Sequence, residues 1–100
     1  MKVTYGNHVK KKLKDKSSIK RHYGSLAPGI MLCLSVLDVA DNLEEVPTAM
    51  PTCRHKLDQN YKGCWGLWIT KNWRMILEPV SGTEPSEIVE VKIISIEDYH

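Results

Sequence analysis

The sequence lacks an apolar run long enough to span a membrane, because the longest, near residues 30–34, falls far short of the roughly 20 residues required. It also lacks the N-terminal pattern of a secretory signal, an apolar segment followed by small residues. Cysteine is scarce and odd in number, with three residues, which fits a reducing compartment better than a disulfide framework. We therefore expect a soluble, cytoplasmic protein without a membrane partner.

The sequence also has little net charge. Its 14 Lys and Arg against 12 Asp and Glu leave +2, so total charge does not indicate a nucleic-acid-binding protein. Hydrophobic residues make up 42% and charged residues 26%, a globular balance that argues against disorder, collagen and coiled coil. A chain of 100 residues can form one hydrophobic core. We expect a single domain covering residues 1–100.

The charges are unevenly distributed along the chain. Residues 1–23 hold eight basic residues and one acid, and residues 24–45 hold four acids and no base. Residues 46–77 are again basic and residues 78–100 acidic. Such asymmetry can create a polyanion-binding face on a nearly neutral protein. The candidate RNA contacts in the first block are Lys10, Lys11, Lys12 and Lys14, although an ordinary solvated helix face would show the same lysines.

The first half of the chain has mainly helical patterns. Residues 2–5 alternate and predict a short strand. Residues 8–16 have helix-forming lysines and a narrow apolar stripe, which predicts a short exposed helix. Apolar residues recur at helical spacing from Ile30, after a proline that is tolerated near a helix start, and predict a helix over residues 26–41.

The second half has strand patterns. Residues 63–70 and 73–78 predict a hairpin joined by Lys71-Asn72. A two-residue loop would place Trp68 opposite Met75, with Arg74 beside Ile69 on the other face. Residues 87–97 predict a last strand whose alternation slips at Ile93-Ile94, which indicates either a bulge or a change of the exposed face. Helices followed by an antiparallel sheet make an α+β fold.

Four side chains supply the chemistry that RNA cleavage requires: His55, Arg74, Tyr99 and His100. Attack by the ribose 2′-hydroxyl needs a base, an acid and a cation for the charge that develops on the phosphate. Histidine and tyrosine transfer protons, and arginine holds two phosphate oxygens at once. Arg74 lies mid-strand, where a charge is costly unless that face is solvated or functional. For Tyr99 and His100, the alternative is a frayed end of the chain.

The cysteines and histidines do not form a metal-binding pattern. Cys53, His55, Cys64 and His100 lack the paired spacing of zinc sites, so we expect no metal and no other cofactor. Three tryptophans lie in the predicted hairpin: Trp65, Trp68 and Trp73. Core packing accounts for them more readily than base stacking does.

The order of several short motifs resembles the HigB-type toxins of the RelE/ParE superfamily, from bacterial type II toxin–antitoxin modules. The matching segments are Arg54-His55-Lys56-Leu57, Lys62-Gly63-Cys64-Trp65, Asn72-Trp73-Arg74 and Glu97-Asp98-Tyr99-His100. The likeness covers residues 30–100 well and the first 29 loosely.

The resemblance implies two N-terminal helices packed on a twisted antiparallel sheet. It also implies ribosome-dependent endoribonuclease activity on mRNA and neutralisation by a helix-turn-helix, HigA-like antitoxin. The toxin would contact operator DNA only through its complex with that antitoxin. By carry-over, His55 and His100 are acid–base candidates, Arg74 stabilises the transition-state phosphate, and Tyr99 orients or stacks the substrate.

One residue departs from the family pattern. Asp58 stands where the family often has a lysine, and an aspartate would repel phosphate. Lys56 or Lys62 would have to replace that lysine in space. Asp58 leaves two alternatives open, a non-catalytic ParE-like toxin that acts on gyrase and a degenerate toxin that serves only as its antitoxin's partner.

Overall fold

The computed structural model describes residues 1–99; the candidate acid–base residue His100 lies outside the described residues. The strands are β1 (Lys2–Tyr5), β2 (His55–Lys56), β3 (Trp65–Trp68), β4 (Trp73–Pro79) and β5 (Glu90–Asp98). The helices are α1 (Lys16–Tyr23) and α2 (Ala27–Val39), and short 3-10 turns lie at Gly24–Leu26, Leu43–Glu45, Gln59–Tyr61 and Pro85–Glu87.

The strands form one five-stranded sheet in the order β1-β5-β4-β3-β2. The α+β class predicted from the sequence is confirmed. The sheet is mixed, however, because β1 pairs parallel to β5 while the other pairs are antiparallel. β1 therefore joins the far edge of the sheet, next to the last strand.

Helix α2 supplies most of the helical core. Its buried residues Ala27, Ile30, Cys33 and Leu37 recur at helical spacing, and they pack in one cluster with apolar residues of the sheet. The predicted helix over 26–41 is confirmed with slightly narrower bounds. By length and composition alone, the continuous helical stretch Lys16–Val39, 24 residues, could cross a membrane. The lengths of the apolar runs in the sequence did not predict this. Core helices of soluble proteins share this property.

The predicted helix over residues 8–16 is wrong. Residues 7–15 form turns and bends, and α1 begins only after Asp15, whose side chain accepts a hydrogen bond from Ser18 N at 2.7 Å. This N-cap sets the helix start. Val9 and Leu13 are each 3% exposed, so the apolar stripe does mark core contacts but not a helix.

The hairpin register differs by one residue from the prediction. Trp68 lies opposite Arg74, and Leu67 lies opposite Met75, because the connection is longer than two residues and both Ile69 N and Thr70 N donate to Trp73 O. A one-residue slip exchanges the two faces of a strand. As a result Leu67 and Met75 enter the core against α2, while Trp68 and Arg74 share the opposite face.

The predicted bulge in the last strand is confirmed. Leu77 pairs with Ile93 and Ile76 with Ser95, so Ile94 is the extra residue. After the bulge, β5 places Glu97 opposite Arg74. We call the sheet face opposite α2 the open face; it carries His55, Gly66, Trp68, Arg74 and Glu97.

Close approach of α2 to the end of β3 requires a glycine. A Cβ on Gly29 would lie 2.2 Å from the Ile69 carbonyl oxygen, and a backbone atom cannot move aside cheaply. We expect Gly29→Ala to lower the free energy of unfolding by about 1–3 kcal/mol. Urea denaturation measures this, with Ser35→Ala, on an exposed position of the same helix, as the control expected to change stability little. Equal stability of both variants would contradict this packing.

Candidate functional site

His55 is held on the open face by its backbone surroundings. Its Nδ1 lies 2.9 Å from the Cys53 carbonyl oxygen. Since a carbonyl only accepts, Nδ1 carries a proton, and Nε2 is the nitrogen whose lone pair can act as a base in that tautomer. The ring lies over Gly66, where a Cβ would come within 2.9 Å of both Cε1 and Nε2. The half-buried imidazole is thus positioned with a basic nitrogen available.

Arg74 lies in the centre of the open face, but it is buried. It is only 8% exposed, whereas the sequence suggested an open groove. Its Nη1 donates to three carbonyl oxygens at the β3–β4 connection, those of Thr70 at 3.0 Å, Lys71 at 2.9 Å and Trp73 at 3.2 Å. Burial lowers the pKa of the guanidinium, an effect that nearby Cys53 and Tyr99 oppose.

Part of the Arg74 guanidinium has no acceptor. Its Nε is buried, and no residue among 1–99 accepts a hydrogen bond from it. An unsatisfied buried donor costs about 1–3 kcal/mol, and more in a charged group. The guanidinium carbon lies 4.5 Å from the Trp68 ring centroid and 5.7 Å from that of Tyr99. The two aromatic rings and the hairpin carbonyls therefore hold a cation whose Nε has no acceptor among residues 1–99.

Tyr99 is brought next to Arg74 by the end of β5. Its backbone N donates to Asn72 O at 2.6 Å, and its side chain is 44% exposed. The neighbouring Glu97 accepts hydrogen bonds through Oε2 from the hydroxyls of Tyr61 and Ser95, the latter at 2.7 Å. The structure thus brings Arg74 and Tyr99 together and places His55 on the same sheet face.

No protein-family model and no curated protein matches this sequence. Solved structures do match in fold. A YoeB/ParE toxin from Agrobacterium tumefaciens aligns over 100% of both chains, with a TM-score of 0.60 and 14% identity. The YoeB–YefM complex from Staphylococcus aureus aligns over 100% of this chain and 97% of that chain, with a TM-score of 0.60 and 16% identity. YafQ from E. coli strain BL21(DE3) aligns over 96% of this chain and 90% of that chain, with a TM-score of 0.61 and 14% identity.

The chain has the fold of these toxins. This is the fold that the resemblance of the motifs implied, and it does not distinguish the narrower HigB type. The structural match includes the first 29 residues, which the motif comparison matched only loosely.

The predicted RNA-binding lysines occupy several parts of this toxin fold. All are exposed: Lys10, Lys11, Lys12, Lys14, Lys56 and Lys62. Lys12 lines a groove of about 470 Å³ together with Tyr61 and Glu97, so this lysine reaches the border of the open face. Lys56 pairs with Trp65 while His55 pairs with Gly66, which directs Lys56 to the other face of the sheet. It is therefore not placed to replace the family lysine at Asp58.

The site also contains residues to which the sequence analysis gave no role. Gly66 makes room for His55, and Glu97 is held by two hydroxyls. Trp68, assigned to packing, is half-buried and stacks on Arg74. Period-two alternation would have placed Trp68 and Arg74 on one face had the hairpin register been predicted correctly.

The three cysteines are free thiols within the described fold. Burial raises the pKa of Cys33 to about 12, and its Sγ donates to Trp68 O at 3.2 Å. Burial and the charge of Glu78 raise the pKa of Cys64. Among residues 1–99, no three His, Cys, Asp or Glu side chains converge as a metal site would require.

Proposed function

We propose that this chain is the toxin of a type II toxin–antitoxin module and cleaves mRNA on the ribosome, as HigB-type toxins do. The observation that carries the proposal is the Arg74 guanidinium, which lies against the rings of Trp68 and Tyr99 on the same sheet face as His55. A phosphate oxygen is the acceptor that suits this donor best, because arginine and phosphate form strong charge-assisted hydrogen bonds.

The residues divide the work of metal-independent cleavage between them. His55 Nε2 takes the proton of the ribose 2′-hydroxyl, whose oxygen attacks phosphorus, and Arg74 stabilises the negative charge that develops there. The departing 5′-oxygen needs a proton, for which His100 is the candidate donor. Tyr99, exposed beside the guanidinium, orients or stacks the substrate. The proposed reaction uses no metal or other cofactor.

The matching structures also support a proposal about the partners of this chain. Three of the matching structures are complexes, two of YoeB with YefM from S. aureus and one of DinJ with YafQ from E. coli. They support an antitoxin as the partner of this chain in the cytoplasm. We propose a helix-turn-helix, HigA-like antitoxin, with operator DNA contacted only through the toxin–antitoxin complex.

Cleavage mapping on a translating mRNA tests the function. We expect new 5′ ends at defined positions when the purified chain is added to programmed ribosomes, and none on the same mRNA without ribosomes. Addition of the antitoxin should abolish them. Cleavage that is equally fast without ribosomes would contradict ribosome dependence, and no cleavage in either case would contradict the enzymatic function.

A non-catalytic toxin, ParE-like or degenerate, is the second candidate, and one observation favours it. Asp58, Glu97 and Asp98 line a pocket of about 280 Å³ that also includes Tyr99, and their negative charge repels phosphate. This candidate predicts growth arrest or antitoxin binding without RNA cleavage, and no effect of His55→Ala on either. Gyrase inhibition in a supercoiling assay separates the ParE-like form from the degenerate one.

The exposed N-terminal lysines lead to a prediction about ribosome binding. Replacing Lys10, Lys11 and Lys12 together by glutamate should weaken ribosome association and flatten its salt dependence, since each phosphate contact adds to the slope of log affinity against log salt. Co-sedimentation with ribosomes at several salt concentrations measures both. The control reverses Lys2 and Lys92, exposed on β1 and β5, and should bind nearly as wild type. Wild-type sedimentation of the triple variant at low salt would assign these lysines to an ordinary solvated surface.

A further inference from the structure

A second concave feature lies at the β3–β4 connection, on the other side of Trp68 from the proposed catalytic groups. This hairpin pocket has a volume of about 400 Å³ and is lined by Met50, Pro51, Trp68, Ile69, Thr70 and Lys71. Its lining is mostly apolar, with one cation and no acid. The proposed cleavage chemistry does not use it.

One wall of the pocket is a loop that hydrogen bonds connect to β3. Trp68 N donates to Thr52 O at 2.7 Å, and Thr52 Oγ1 donates to Pro47 O at 2.9 Å. Cys53 N donates to Ala49 O at 3.0 Å. These bonds tie the loop that carries Met50 to β3. Met50 nevertheless stays 74% exposed, so a flexible apolar side chain is presented on a fixed backbone, an arrangement suited to contact with a flat ring.

Trp68 connects the pocket to Arg74. The guanidinium carbon lies 4.5 Å from the centroid of the indole, and the same side chain forms a wall of the pocket. A phosphate held by Arg74 and a ring held in the pocket would therefore be separated by one side chain. The lining of the pocket itself carries the ammonium of Lys71 and no acid, which favours an anionic chain as the ligand.

We propose that the hairpin pocket binds the nucleobase of an mRNA nucleotide next to the phosphate held by Arg74, and so positions that nucleotide on the sheet. The proposal rests on the proposed function. Apolar and aromatic walls hold any base through its π face, and the Lys71 ammonium offsets the charge of the flanking phosphate. The carbonyls of Thr70 and Lys71 already accept hydrogen bonds from Arg74. These bonds hold the pocket in a constant position relative to the phosphate site.

Titration with a short RNA tests the pocket without requiring cleavage. The probe is a 2′-O-methylated adenosine trinucleotide, followed by ¹⁵N NMR of the full chain. We expect the Trp68 indole N–H and the Thr70 and Lys71 amides to shift. Repeating the titration with an abasic residue at each position in turn should abolish these shifts for one position. Shifts that are the same for every abasic probe would overturn the proposal.

Met50→Ala tests the pocket by substitution, because Met50 lines the pocket, is exposed and lies outside the proposed catalytic groups. It should weaken trinucleotide binding on the order of threefold to tenfold. Val39→Ala, which truncates an apolar side chain that is 81% exposed on α2, should leave binding unchanged. If Met50→Ala weakened antitoxin binding and not trinucleotide binding, the occupant would be a protein and the proposal would be wrong.

The same experiment separates the two proposals. If wild-type protein does not cleave mRNA on ribosomes but the trinucleotide fills the pocket, the proposed function fails and nucleobase binding stands. If cleavage occurs but the pocket signals do not shift, nucleobase binding fails and the proposed function stands.

Discussion

Replacing Arg74 by alanine is expected to reduce single-turnover cleavage of mRNA on programmed ribosomes on the order of 100- to 1,000-fold, the usual effect of removing one preorganised transition-state donor. Stability should fall as well, by about 1–3 kcal/mol, because the three hairpin carbonyls lose their donor. Arg74→Lys should recover only part of the rate, since an ammonium lacks the planar, two-edged geometry that binds carbonyls and phosphate together.

Arg54 offers a control with matched chemistry. Like Arg74 it donates to a backbone carbonyl, in this case from Nε to Val46 O at 2.8 Å, and it lies over an aromatic ring, Trp65, at 5.2 Å. Trp65 belongs to the core side of the sheet, so Arg54→Ala should lower stability while leaving the cleavage rate of the folded protein near wild type. Cleavage and thermal unfolding are measured on both variants. A wild-type rate in Arg74→Ala would exclude Arg74 from the chemistry, and equal rate losses in both variants would make the effect one of stability.

Gly66→Ala should inactivate the protein through His55. The added methyl would lie 2.9 Å from the imidazole Cε1 and Nε2 and 3.2 Å from Leu57 Cδ2, so the ring must leave its position. We expect cleavage to fall about 100-fold or more, in the range of a lost general base. The free energy of unfolding should fall by about 1–3 kcal/mol from overpacking.

A double-mutant cycle shows whether His55 transmits this effect. In a His55→Ala background the space above Gly66 is empty, so Gly66→Ala should cost markedly less stability there than in the wild type, and it should cause no further loss of cleavage. Urea denaturation gives the stability part of the cycle independently of activity. Equal destabilisation in both backgrounds would show that the methyl disturbs something other than the histidine ring.

Much of the fold follows from local sequence patterns. The alternation of residues 2–5, the helical spacing from Ile30 and the slip at Ile93-Ile94 correspond to β1, α2 and the bulge. Each depends on which face of a local element is apolar, and that is written in the sequence itself. The failure at residues 8–16 has the same origin, because two apolar anchors mark burial but do not distinguish a helix from a series of turns.

The candidate site could be predicted only in part. Motif order pointed to His55, Arg74 and Tyr99, but not to how they are held. The hairpin register was wrong by one residue, because the connection between β3 and β4 is stabilised by the Arg74 side chain, whose Nη1 donates to Thr70 O and Lys71 O. Hydrogen bonds from a side chain to its own turn produce no periodic pattern in the sequence, so the register of this hairpin could not be predicted from periodicity.

By itself the sequence determined the α+β class and the main helix and strands, because these depend on composition and short-range periodicity. Only the tertiary structure decided that β1 lies parallel to β5, that Lys56 faces away from His55, that Gly66 makes room for the imidazole, and that Arg74 is buried between two aromatic rings with one donor unsatisfied. These features arise from contacts between residues far apart in the chain, where strand register and packing set the geometry, and no local pattern encodes them.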